Sequence, residues 1–236
     1  MPSGIPSWLD EKDVPVHRGF TTGLLLLTAS TGAIDAVSYL SLDKVFTGNM
    51  TGNVLFLGFA LMGVAGIPFL NNAIALLGFV IGSILSGRIV PRGGAKGFPR
   101  ASAWLLVAGG ALAIVLAVVW TVVGDLPHPV LLTITFLLAA VMGAQVGAVK
   151  PIGNSDLSTV VVTNTLANLS RDSRLGGGKG QAWIQRVLAV VAMGVGAAIG
   201  AGAIHLWSGA AALFVAIGIY AVGTVTLVAS GRAARV

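Results

Sequence analysis

The residues of this chain best suited to chemistry are one carboxylate and two short polar strings, set among long apolar runs. Asp35 is the only acidic residue inside such a run, whereas Asp43, Asp125, Asp156 and Asp172 fall at or beyond run ends. A charge in hydrocarbon costs at least about 2.5–3.5 kcal/mol on insertion scales, so it is normally neutralised, paired or open to a wet cavity. Three roles are therefore open to Asp35: proton acceptor in coupled transport, cation ligand, or hydrogen-bond anchor for the backbone of residues 47–53. The strings are Thr47-Gly-Asn-Met-Thr-Gly-Asn53 and Ser158-Thr-Val-Val-Val-Thr-Asn-Thr165. Their Thr47, Asn49, Thr51, Asn53, Thr159, Thr163 and Asn164 offer hydroxyl and amide contacts. The helix start after each string exposes N–H groups and a positive dipole end, which suits an anion or a carbonyl-bearing solute. The same side chains also serve to cap helices and bridge spans in bilayers. Gln145, the near-counterpart of Asp35 in the second half, is uncharged, so a proton role would belong to one half alone.

The elements that must position these groups follow from composition. Of 236 residues, 56% are hydrophobic and 9% charged, with mean hydropathy +0.93; a soluble domain carries about a quarter charged residues. The apolar runs are 19–41, 47–67, 68–90, 101–124, 129–150, 157–170, 181–207 and 209–230, separated mostly by Pro- and Gly-containing breakers. Most match the roughly 17–25 residues that a helix needs to cross about 30 Å of hydrocarbon. The run 157–170 is too short for a crossing. So is 47–67, once its polar start is removed.

Loop charges decide between eight crossings and six. With eight, and the N-terminus inside, Lys44, Arg88, Arg92, Lys96, Arg100 and Lys150 would lie outside. If 47–67 and 157–170 enter and leave on one side, Lys44 alone of the 14 Lys and Arg lies outside. The positive-inside bias selects six crossings with both termini cytoplasmic. Residues 1–18 then read as a polar cytoplasmic tail and not a cleavable signal.

The chain also resembles itself. Gly32-Ala33 matches Gly143-Ala144, and Thr47 and Thr51 match Thr159 and Thr163. The next run in each half carries small residues four apart, at Gly78, Gly82, Ser86 and at Gly196, Gly200. Residues 19–124 and 125–236 thus read as two repeats of three crossings each. An odd number makes the second copy run opposite to the first, the inverted-repeat plan of many transporters. The expected fold is an all-α integral membrane protein of about six transmembrane helices, plus two short re-entrant segments.

At these motifs the sequence resembles a known family. Gly32-Ala-Ile-Asp-Ala36, followed by Val45-Phe-Thr-Gly-Asn-Met-Thr-Gly-Asn53, is similar to the signature of YoaK-like bacterial membrane proteins, and the likeness continues through Asp156-Leu-Ser-Thr-Val-Val-Val-Thr163. The resemblance implies a bacterial inner-membrane protein of about six spans. It implies no catalytic or binding residue, because the family is filed as a domain of unknown function.

Several function classes are excluded or set aside. The pI near 10.3 comes from basic residues in short loops between apolar runs, which orientation in the bilayer explains without nucleic acid. There is no Cys, and His17, His128 and His205 are too scattered for a metal site. No cofactor is implied. No Ser–His or Ser–Lys pairing lies inside the runs, and a lone Asp35 cannot form a carboxylate dyad, so the chain reads as no enzyme. The leading expectation is a transporter or channel for a small polar solute or ion, its site lying between the halves near the midplane. The alternative is a non-transporting structural or regulatory membrane protein. Lipid is the expected partner, and the Gly-rich faces of the third and seventh runs suggest packing within one chain or in a homo-oligomer.

Overall fold

A computed structural model describes residues 14–91, 98–152, 162–173, 176–177 and 183–234, and among them every regular element is helical. The long helices are α1 (Val14–Ser41), α3 (Phe69–Ile89), α4 (Arg100–Val123), α5 (His128–Val149, extended by a 3-10 turn Lys150–Ile152), α7 (Trp183–Leu206) and α8 (Gly209–Ala233). These six are long and apolar enough to span a bilayer. Between them lie two short helices, α2 (Met50–Leu61) and α6 (Val162–Arg171). With 12 and 10 residues, they extend about 18 and 15 Å, well short of a crossing.

The breakers act where their chemistry requires. Pro68, Pro99 and Pro127 stand at the N-caps of α3, α4 and α5, where the missing N–H is no loss. Ser208 caps α8 by accepting the Ala211 amide at 3.2 Å. Gly124 ends α4 at φ +72°, a left-handed conformation that lets the chain turn at once into α5.

Outward faces are covered with Val, Leu and Ile, exposed as a lipid solvent allows. The interior combines apolar side chains with hydroxyls, some of them satisfied within their own helix: Thr28 and Thr31 donate to the carbonyls of Leu24 and Leu27. Helix α1 is the most enclosed span, held between α7 and α8.

Two helix crossings are unusually close. A side chain at Gly196 or Gly32 would collide with the carbonyls of Ala29 and Met193, which fixes α1 against α7. At Gly82 or Gly143 it would meet the carbonyls of Ala140 and Phe79, fixing α3 against α5. The two crossings share one register: 111 residues separate Gly32 from Gly143 and Ala29 from Ala140, and 114 separate Phe79 from Met193 and Gly82 from Gly196. Small residues let backbones approach, and in lipid that packing is a main source of helix association.

The glycine faces of α3 and α7 are therefore used inside the chain. Packing within one chain, the first of the two arrangements the sequence allowed, accounts for Gly78, Gly82, Gly196 and Gly200.

Contacts also order the helices by direction. Gly78 meets Phe136 and Gly82 meets Ala140, so α3 and α5 run parallel; Gly196 on Ala29 and Gly200 on Ala33 make α1 and α7 parallel. Helix α8 runs against α1, with Gly19 at Ser230 and Ser30 bonded to the Ala216 carbonyl. It also runs against α4, with Gly209 at Trp120 and the Tyr220 hydroxyl on the Leu106 carbonyl. Successive long helices thus alternate in direction.

A methyl group at the crossing should be felt, and one on an open face should not. Gly196→Ala is expected to destabilise the bundle by about 1–3 kcal/mol through overpacking. At Gly202, on the same helix, a Cβ meets nothing within 4 Å, so Gly202→Ala should be neutral or stabilise by up to about 1 kcal/mol. Thermal unfolding in detergent compares the two.

Candidate functional site

The site is built where the chain leaves α1. Asp43 and Lys44 follow with φ of 66° and 59°, two consecutive left-handed residues that reverse the backbone. Asp43 accepts a hydrogen bond from the Asn71 side chain at 3.0 Å, which ties the end of α1 to the start of α3. The backbone then runs back along α1 to the level of Asp35, and α2 returns from there to the same end of the bundle.

Asp35 is buried and holds this reversal. Its Oδ1 accepts the amides of Thr47 at 3.0 Å and Gly48 at 2.7 Å, and the Thr47 hydroxyl lies at 3.4 Å. The carboxylate sits beside the first turn of α2, where the helix dipole favours an anion. Asn53 supports the same loop by reciprocal bonds: its side chain accepts the Phe46 amide at 3.0 Å and donates to the Phe46 carbonyl at 2.6 Å. Asn49 caps α2 by accepting the Gly52 amide at 3.3 Å. Irregular backbone at membrane depth needs such internal partners. Here three side chains provide them.

Aromatic rings close one side. Tyr39, one turn beyond Asp35, stacks on Phe46 with centroids 4.9 Å apart, and Phe46 stacks on Phe56 at 5.9 Å. Lys44 places its ammonium 5.1 Å from the Tyr39 ring centroid.

A cavity of about 750 Å³ opens against this assembly. The first half supplies Asp35, Tyr39, Phe46, Asn49, Thr51 and Phe79, and the second supplies Val162, Thr163, Val190 and Met193. Residues of both short helices thus face one space.

The sequence-derived candidates separate into groups. Asp35, Asn49, Thr51 and Thr163 line the cavity. Thr47 and Asn53 are fully buried: the Thr47 hydroxyl turns to the Asp35 carboxylate, and Asn53 bonds the loop backbone at Phe46. Gln145 lies behind the wall, where it donates to the Thr31 hydroxyl at 3.1 Å. Asn164, on exposed α6, is not a wall residue. Thr159 lies outside the described residues. By the 111-residue register the positional match of Asp35 is Val146 rather than Gln145.

Sequence reasoning missed the aromatic wall. The usable signal was Tyr39 four residues after Asp35, on the same helix face, with Phe46 adjoining Thr47. It also missed the buried Arg186, which donates to Asp172 at 2.8 Å and to the Asn168 carbonyl at 2.9 Å and so ties α6 to α7. Arg186, and then Arg171, hold the Asp172 carboxyl below its usual range.

Among the described residues no group of three or more His, Cys, Asp or Glu could hold a metal ion. Among the described residues, six apolar spans and two short helices define a multi-pass membrane protein. The chain belongs to the family described as "Protein of unknown function (DUF1275)", which matches residues 23–226. It is also 34% identical, over 156 residues, to a Bacillus subtilis (strain 168) protein described as "UPF0700 transmembrane protein YoaK"; the match covers 66% of this chain and 67% of the relative. No solved structure matches the chain.

The anchor makes a stability prediction. Asp35→Leu removes the acceptor of two buried amides, at about 1–3 kcal/mol for each orphaned donor. Asp35→Asn keeps a carbonyl oxygen and should lose less than half as much. Detergent unfolding measures both; equal stability of Asp35→Leu and the parent chain would contradict the anchor.

Proposed function

We propose that this protein is a transporter or channel of the bacterial inner membrane that moves a small polar solute or ion through a site between two inverted repeats. The observation that carries this reading is the cavity shared by the first turns of α2 and α6. Ligand sites of many secondary transporters lie where broken helices from two halves meet near the midplane. The matched registers of α1 on α7 and α5 on α3 support the repeat. So does the opposed direction of each corresponding pair, α1 with α5, α3 with α7 and α4 with α8. The loop charges support cytoplasmic termini. Among the described wall residues Asp35 is the one carboxylate and there is no His, Lys or Arg, which favours a site that binds over one that catalyses.

A second reading has its own observation. Asp35 Oδ1 is already engaged by the loop it holds, as in a protein whose polar groups only fix the bundle. Reconstitution in liposomes separates the two. Transport predicts solute-dependent flux or proton movement that Asp35→Asn reduces at least tenfold while the variant still folds. No flux for any solute, with Asp35→Asn folding normally, would establish the structural reading instead.

A further inference from the structure

We infer that the cavity selects an organic ammonium cation, with the Asp35 carboxylate as its counter-charge and aromatic rings as its walls. The inference rests on the proposed transport site and names its substrate class.

The charge balance comes first. Asp35 is the only ionisable acid or base among the described wall residues, apart from the Tyr39 phenol, and none of them is Lys, Arg or His. The amides of Thr47 and Gly48 stabilise the carboxylate as dipoles but do not cancel its charge. A monocation completes the neutrality that a low-dielectric space demands. An anionic solute would add a second negative charge beside Asp35.

The walls then decide which cation. A bare metal ion needs six or more oxygen ligands if calcium-like, or a near-octahedral set if magnesium-like. One carboxylate with the side chains of Asn49, Thr51 and Thr163 does not make such a cage. About 750 Å³ is also far larger than a single ion requires, and falls within the usual range for organic ligands. The remaining surface is largely carbon, including the rings of Tyr39, Phe46 and Phe79. Rings attract ammonium groups through their faces, and more so where water is excluded. The Lys44 ammonium, 5.1 Å from the Tyr39 ring centroid, shows that ring already holding a cation. An amine with an apolar body would place its charge at Asp35 and its carbon skeleton on the rings.

The test uses the full chain in lipid nanodiscs and three probes of nearly equal shape: phenethylammonium, 2-phenylethanol and phenylacetate. Isothermal titration should show phenethylammonium binding at least tenfold tighter than either of the others. Asp35→Asn should abolish that preference, and Phe79→Leu, which leaves the anchor loop intact, should weaken the cation several-fold. Equal or tighter binding of the neutral or anionic probe, an unchanged preference in Asp35→Asn, or no cation binding at millimolar concentration would overturn the inference. Flux assays separate it from the transport reading. A cation that binds without crossing refutes transport and leaves the selectivity standing. An anion carried at a rate independent of Asp35 does the reverse.

Discussion

The bond from the Thr47 and Gly48 amides to Asp35 is the contact on which the rest of the site depends. Hydrocarbon offers no water to a non-helical backbone, so the stretch between α1 and α2 can lie at membrane depth only if side chains satisfy it. Asp35 takes two amides and Asn53 satisfies both polar groups of Phe46. Once held, this stretch starts α2 inside the bundle, and the Asn49 cap and the Tyr39–Phe46 stack follow from that position. Among the described residues a buried carboxylate is thereby both a structural anchor and the one carboxyl group that lines the cavity. The two roles are compatible, because an anchor bonded to dipoles keeps its net charge.

The second constraint is close approach of helices. Backbone contact at Gly32, Gly82, Gly143 and Gly196 sets α1 on α7 and α3 on α5. Each crossing joins a helix from one half to a helix from the other. The halves therefore interlock, and the cavity forms along the α1–α7 seam. Its shape depends on these glycines, of which Gly32 lines it directly.

Much of this layout was legible because bilayers impose simple rules. Span length, proline breakers and loop charge were enough to separate six long helices from two short ones. The Gly32–Gly143 match falls on two helix crossings of shared register, in which Gly82 stands 114 residues from Gly196, as Ser86 does from Gly200. What stayed hidden was side-chain direction. Nothing in the polar string distinguishes Thr47 and Asn53, which turn inward to Asp35 and to the Phe46 backbone, from Asn49 and Thr51, which line the cavity. Gln145 looked like the partner of Asp35 by proximity in sequence, yet it lies one position off register and reaches Thr31 instead. Phe79 could not be read as part of the aromatic wall because it comes from a helix separate from that of Tyr39.

The central claim is that α2 returns to the end of the bundle from which its string entered. Because the chain has no native Cys, single cysteines at Lys44, before the string, and at Val64, after α2, can be labelled without background. Both positions are exposed. A membrane-impermeant maleimide is expected to reach both from one face of the membrane, the face that also labels Leu126→Cys. Labelling of Lys44→Cys and Val64→Cys from opposite faces would make α2 a crossing and contradict the account.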